Sequence, residues 1–135
     1  LEIWLGGAGP RALERVARCA DGWLTSNVTP EEAADGRAAI VSRAEALGHH
    51  IDEEHYGISI PFARHEISAA TMVPLRVRRP DGDLREIAPV GADELAALVK
   101  RHVDNGLTKF VLRPLDGGQP DDLAWLADAV LPLQT

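Results

Sequence analysis

Apolar and polar positions alternate along the 135-residue chain in two rhythms, one of strands and one of helices. Leu1 to Leu5 is a short apolar run ending at glycines and reads as a buried strand. Pro10 then opens a helix, because its fixed φ suits the first helical position, and Leu13, Val16, Ala17 and Ala20 recur at helical spacing. The same stripe takes in Cys19, expected as a small buried core residue. Asp21-Gly22 breaks that helix, and Trp23-Leu24-Thr25 makes a second strand. Thr29-Pro30-Glu31-Glu32 starts the next helix, with Thr29 as cap, Pro30 at the first position and Glu32 completing a capping box. Ala33, Arg37, Ile40, Val41, Ala44 and Leu47 line one side of it, and Gly48 ends it. Tyr56 to Phe62 is the third strand. Gly91-Ala92-Asp93-Glu94 leads into a helix with the stripe Leu95, Leu98, Val99, His102 and Val103. Lys109 to Leu112 is the fourth strand, and Pro120-Asp121-Asp122 opens a last helix with Leu123, Leu126, Ala127 and Val130 facing in.

Four β-α units in a row imply an α/β fold, a parallel sheet covered by helices. The strands are apolar on both faces, as buried parallel strands are. Short right-handed connections predict that they pair in chain order. One domain covers residues 1–135, with an insertion at about 63–90. That gap far exceeds the usual connection of about 2–6 residues. Inside it, Leu75-Arg76-Val77-Arg78 and Leu84-Arg85-Glu86-Ile87 flank Pro80-Asp81-Gly82 and read as a hairpin. An excursion after a strand's carboxyl end lies on the ligand-binding face of such folds, so it is either a lid or a solvated ornament.

Composition narrows the function classes. The net charge is −7, and no stretch gathers Lys and Arg without acids beside them. This argues against nucleic acid and against an anionic membrane surface as partners. A single cysteine forms no internal disulfide, and a reducing, cytoplasmic setting is the expectation. No apolar run is long enough to span a membrane. The chain opens on Leu1, directly in a strand, which suggests a fragment or a processed chain.

Three places carry candidate chemistry. Gly6-Gly7-Ala8-Gly9-Pro10 joins a strand to a helix. Glycines allow close approach of a ligand, and the helix start offers unpaired N–H groups to an anion, with Arg11 adding charge. The same residues also suit a tight turn with no ligand, and the dinucleotide fingerprint is absent because Ala12 stands where its last glycine belongs. Arg113 ends the fourth strand, where it either holds an anionic group bidentately or pairs with Asp116 at the surface. His65, beside Arg64 just past the third strand, is either an acid–base group or a solvated loop histidine. No nucleophile elbow, phosphate-binding Walker loop or metal-ligand cluster is present.

The stretch Ile3-Trp4-Leu5-Gly6-Gly7-Ala8-Gly9-Pro10-Arg11-Ala12-Leu13, running on to Ala20-Asp21-Gly22-Trp23, resembles the luciferase-like monooxygenase superfamily of flavin- and coenzyme F-420-dependent oxidoreductases. Val90-Gly91 before an acidic helix start and the closing Val130-Leu131-Pro132 look like the same family. Val111-Leu112-Arg113-Pro114 is similar to the last strand of some deazaflavin-dependent members. The resemblance implies the C-terminal half of a (β/α)8 TIM barrel. It implies that Gly6, Gly7, Ala8 and Gly9 contact the phosphate of coenzyme F-420 or FMN, and that the whole protein transfers hydride or activates oxygen on a small organic substrate. The family's N-terminal strands supply much of the ring pocket and are absent here, so catalysis needs a missing N-terminal half-barrel or a second copy of the chain. The 135 residues are therefore not expected to be a stable isolated monomer. A different class remains open on the residues alone: a non-catalytic half-barrel module that binds a phosphorylated ligand or a partner chain.

Overall fold

The computed structural model describes residues 1–115 and 117–134. Its strands are β1 (Trp4–Leu5), β2 (Gly22–Ser26), β3 (Tyr56–Phe62) and β4 (Lys109–Pro114). They form one sheet in the order β1-β2-β3-β4, and every neighbouring pair is parallel, as the βα rhythm predicts. Helices α1 (Pro10–Cys19), α2 (Pro30–Ala46), α3 (Ala69–Arg78), α4 (Ala92–Asp104) and α5 (Asp122–Val130) complete the alternation. The capping box of α2 is present. Thr29 Oγ1 accepts from the Glu32 N–H at 3.3 Å, and Glu32 Oε2 accepts from the Thr29 N–H at 2.8 Å.

The register sorts the strand residues into two faces. Leu5, Trp23 and Tyr56 lie side by side, as do Thr25, Ile58 and Phe110, and then Ile60 and Leu112. This face packs on the helices. Trp23, Tyr56, Ile58, Ile60 and Phe62 are buried there with Val16, Ala17, Ile40, Leu95, Leu98 and Val99. The alternate positions turn the other way: Leu24 beside Gly57 and Lys109, Ser26 beside Ser59 and Val111, and Pro61 beside Arg113. Among the described residues no helix covers this inner face, and Val111 on it is 43% exposed. Among the described residues, β1 and β4 each pair on one side only. Along the outer edge of β4, a depression of about 640 Å³ is lined by Val103, Leu107, Phe110, Leu112, Val130 and Leu133.

Three expectations are corrected. The hairpin does not exist: Leu75–Arg78 is the last turn of α3, and Leu84–Glu86 is a short 3-10 helix. Apolar–arginine alternation over four residues fits either period. A cap decides it, because Ser68 Oγ accepts from the Thr71 N–H at 3.2 Å and starts a helix that tolerates Pro74. Only Leu75 of that stretch is buried, and it joins Ile67, Leu84, Ile87 and Ala88 in a small second core. Cys19 is exposed, not buried. At 3.6 residues per turn it lies about 110° from the centre of the stripe formed by Leu13, Val16, Ala17 and Ala20. β1 is also shorter than its apolar run, since Leu1, Glu2 and Ile3 stay exposed outside the ladder.

The insertion leaves and returns at one point. Ala63 bridges to Val90, with the Ala63 N–H donating to Pro89 O at 3.1 Å and the Gly91 N–H to Ala63 O at 2.9 Å. Arg79 then ties the excursion to α2 through Glu32 at 2.7 Å, and Arg85 ties it to Glu94 at the start of α4.

Candidate functional site

The carboxyl ends of all four strands open on one side of the sheet, and the sequence-nominated residues gather there. The turn after β1 is exposed from Gly6 to Arg11. Gly7 has φ +100°, and a Cβ on it would sit 2.8 Å from the Ala12 Cβ, so the turn itself demands glycine. Trp23, buried in the core, reaches up to hold the turn: its Nε1–H donates to Gly7 O at 2.8 Å. Gly9 is different. It caps α1 with φ −75° and ψ 159°, ordinary extended backbone, and a Cβ there would meet nothing within 4 Å. Sterically, the fold leaves room for a side chain at that position. Among the described residues the N–H groups of Gly7, Ala8, Gly9 and Arg11 donate to no acceptor, and α1 has no side-chain cap. The result is a rigidly held, open N-terminal helix end with space in front of it.

Beside the turn lies a depression of about 590 Å³, lined among others by Ala8, Ser26, Asn27, Glu32 and Arg79. Asn27 follows β2 in the left-handed region at φ 56°, with its Oδ1 buried and unpartnered among the described residues. Asn27 O accepts from Arg79 at 3.3 Å. Neither residue stood out in the sequence. The one available signal for Asn27 was its type, since asparagine enters the left-handed region more readily than other non-glycine residues.

The other two nominated groups divide. Arg64 serves structure: it pairs with Asp121 at 2.8 Å and Asp122 at 3.3 Å, and lies 5.5 Å from the Trp125 ring centroid, whose indole stacks on Phe62. Its hydrogen bond holds the Asp121 carboxyl below the usual carboxylate range. His65 beside it is exposed and makes no hydrogen bond among the described residues. Arg113 lies on the inner face at the carboxyl end of β4, where its Nε–H donates to Ser59 Oγ at 2.8 Å. The suggested pairing with Asp116 lies outside the described residues. His49 Nε2 is 2.9 Å from Ala20 O, a backbone contact that accounts for its position after α2.

These features define an α/β protein of parallel βα units, one face open, with a glycine turn and an arginine at the carboxyl end of the sheet. The chain belongs to the luciferase-like monooxygenase family, whose model matches residues 2–104. Its structure is similar to that of an F-420-dependent secondary alcohol dehydrogenase in complex with an F-420–acetone adduct. The TM-score is 0.76 and the identity 11%, over 100% of this chain and 49% of that one. A coenzyme F-420-dependent tetrahydromethanopterin reductase from Methanopyrus kandleri gives 0.68 and 14%, over 100% of this chain and 51% of the other. An EDTA monooxygenase from Chelativorans sp. BNC1 gives 0.58 and 13%, over 96% and 43%. At such identities the likeness speaks to the fold, which is half of a TIM barrel; the chain spans about half the length of these structures. No curated protein matches the sequence.

Proposed function

We propose that this chain is the half of a luciferase-like oxidoreductase that holds a flavin-type cofactor, coenzyme F-420 or FMN, by its phosphate. The observation that carries the reading is Gly9, where the fold leaves room for a side chain, standing before open space at a helix start with unpartnered N–H groups. A phosphate accepts from such N–H groups and gains from the positive end of α1. Gly6, Gly7, Ala8 and Gly9 would supply the contacts, and Arg11 a neighbouring charge. The F-420-dependent enzymes among the structural neighbours favour this class of ligand. When bound, the ring supplies the hydride or oxygen chemistry, while the protein orients it and excludes water. The rest of this chain's part is positional: Trp23 fixes the turn, and the inner face of the sheet forms one wall of the site. A cytoplasmic location suits a chain whose one cysteine, Cys19, is free and exposed.

The test is the absorbance spectrum of the intact protein, purified from a host that makes both cofactors. A bound flavin or deazaflavin is expected. A colourless protein that takes up neither on addition would sink the proposal.

The reading also requires a second half-barrel. The edges of β1 and β4, unpaired among the described residues, and the exposed inner face form a surface that monomeric proteins cover. Sedimentation of the 135-residue chain by itself is expected to show self-association. A cooperatively folding monomer at micromolar concentration would mean that the face is not an interface.

A further inference from the structure

Charge on the inner face of β4 is confined to its two ends. Lys109 stands at the amino end with Glu54 at 3.9 Å, Val111 lies between, and Arg113 stands at the carboxyl end. In a closed barrel that face is packed and largely dry, and a guanidinium there requires acceptors. Ser59 Oγ, on the neighbouring strand, takes the Nε–H at 2.8 Å. This contact fixes the plane of the guanidinium at the mouth, the end of the barrel where ligands bind. The turn after β1 is three strand spacings away, about 14 Å at about 4.8 Å each. A cofactor phosphate held at Gly7–Arg11 is therefore not the anion that Arg113 meets.

We infer that Arg113 is a second anion site, one that selects substrates carrying a carboxylate or a similarly planar anionic group, and that Ser59 is its positioning residue. The inference rests on the cofactor reading above, because it places the substrate across the barrel mouth from the phosphate turn. A guanidinium suits this task because its forked donors match a carboxylate bidentately, whereas a lysine offers a point charge.

The experiment uses the full-length protein loaded with whichever cofactor it retains. Benzoate and its neutral isostere benzamide are titrated, with perturbation of the cofactor absorbance as the readout. Benzoate is expected to bind at least tenfold more tightly than benzamide. Arg113→Met removes that preference, Arg113→Lys restores part of it, and Ser59→Ala weakens benzoate several-fold while leaving benzamide binding and the melting temperature unchanged. Equal affinity for the two probes, no benzoate binding, or a preference that survives Arg113→Met overturns the inference. A lower melting temperature in Arg113→Met with benzoate affinity unchanged also overturns it, because Arg113 would then serve a carboxylate of the protein. Failure to retain cofactor strikes the cofactor reading, whereas a loaded protein without anion preference strikes Arg113 alone.

Discussion

Acidification from neutrality to about pH 4 is expected to cost the fold about 3 kcal/mol through His102 alone. His102 lies on α4, fully buried, and neither ring nitrogen has a hydrogen-bond partner among the described residues. Burial pushes its pKa down from 6.5 to about 4, and the neighbouring Arg101 adds to this, while Glu31 on α2 opposes it. The folded state therefore keeps the ring neutral where the unfolded chain has already bound a proton. The unfolded state binds more protons between these two values, so stability is full above about pH 6.5 and falls as the pH drops toward 4. A separation of about 2.5 units at about 1.4 kcal/mol each bounds the loss at about 3.5 kcal/mol, of which about 3 is reached by pH 4. Urea unfolding of the protein at pH values across this window measures it, with His102→Leu as reference. Leucine removes two unsatisfied nitrogens, so it should cost little at neutrality and should flatten the slope. Other acid-sensitive pairs, such as Glu94 with Arg85, cancel in the comparison. An identical pH slope in both proteins would show that His102 takes up its proton as readily in the folded state as in the unfolded one, and so is solvated there.

Gly9→Val should weaken cofactor binding about a hundredfold and leave the melting temperature nearly unchanged. The fold tolerates the side chain, because its Cβ meets nothing within 4 Å and the backbone is in an ordinary extended region. A ligand phosphate does not tolerate it, since the branched side chain fills the space before the N–H groups. Loss of two hydrogen bonds to a charged group, at about 1.5 kcal/mol each, gives that factor. Gly7→Val would be uninformative: Gly7 has φ +100° and presses on Ala12, so the turn itself would shift. Equilibrium titration of apoprotein with FMN and with coenzyme F-420 provides the measurement. Wild-type affinity for both in Gly9→Val would remove the phosphate from this turn.

Most of the frame was legible because it is written in local chemistry. Tyr56–Phe62 is a strand at both expected ends, and Pro10 and Pro30 open their helices. The parallel order follows from the rhythm of elements alone. What escaped depended on tertiary packing. The helix at Ala69–Arg78 hides behind an alternation that fits a strand, and its cap, Ser68, sits in a stretch without strong apolar period. Cys19 belongs to no buried stripe once the angles around α1 are followed. The site was half legible. The glycine turn declares itself by residue type, but Ser59 and Arg113 stand 54 positions apart and meet only through the β3–β4 register. His102 reads as one more stripe position, and only packing reveals its isolation.

The insertion's single neck at Ala63 and Val90 bears on how such a protein diversifies. A segment that begins and ends at one bridge, and buries Ile67, Leu75, Leu84 and Ile87 in a core of its own, behaves as an exchangeable cassette. Its length can change at small entropic cost, because closing a longer loop grows dearer only logarithmically. Ion pairs of Arg64 with Asp121 and Asp122, of Arg79 with Glu32 and of Arg85 with Glu94 fasten it to the frame. With the neck and these acidic anchors kept, the segment between them can be rewritten without disturbing the glycine turn or the strands beneath it.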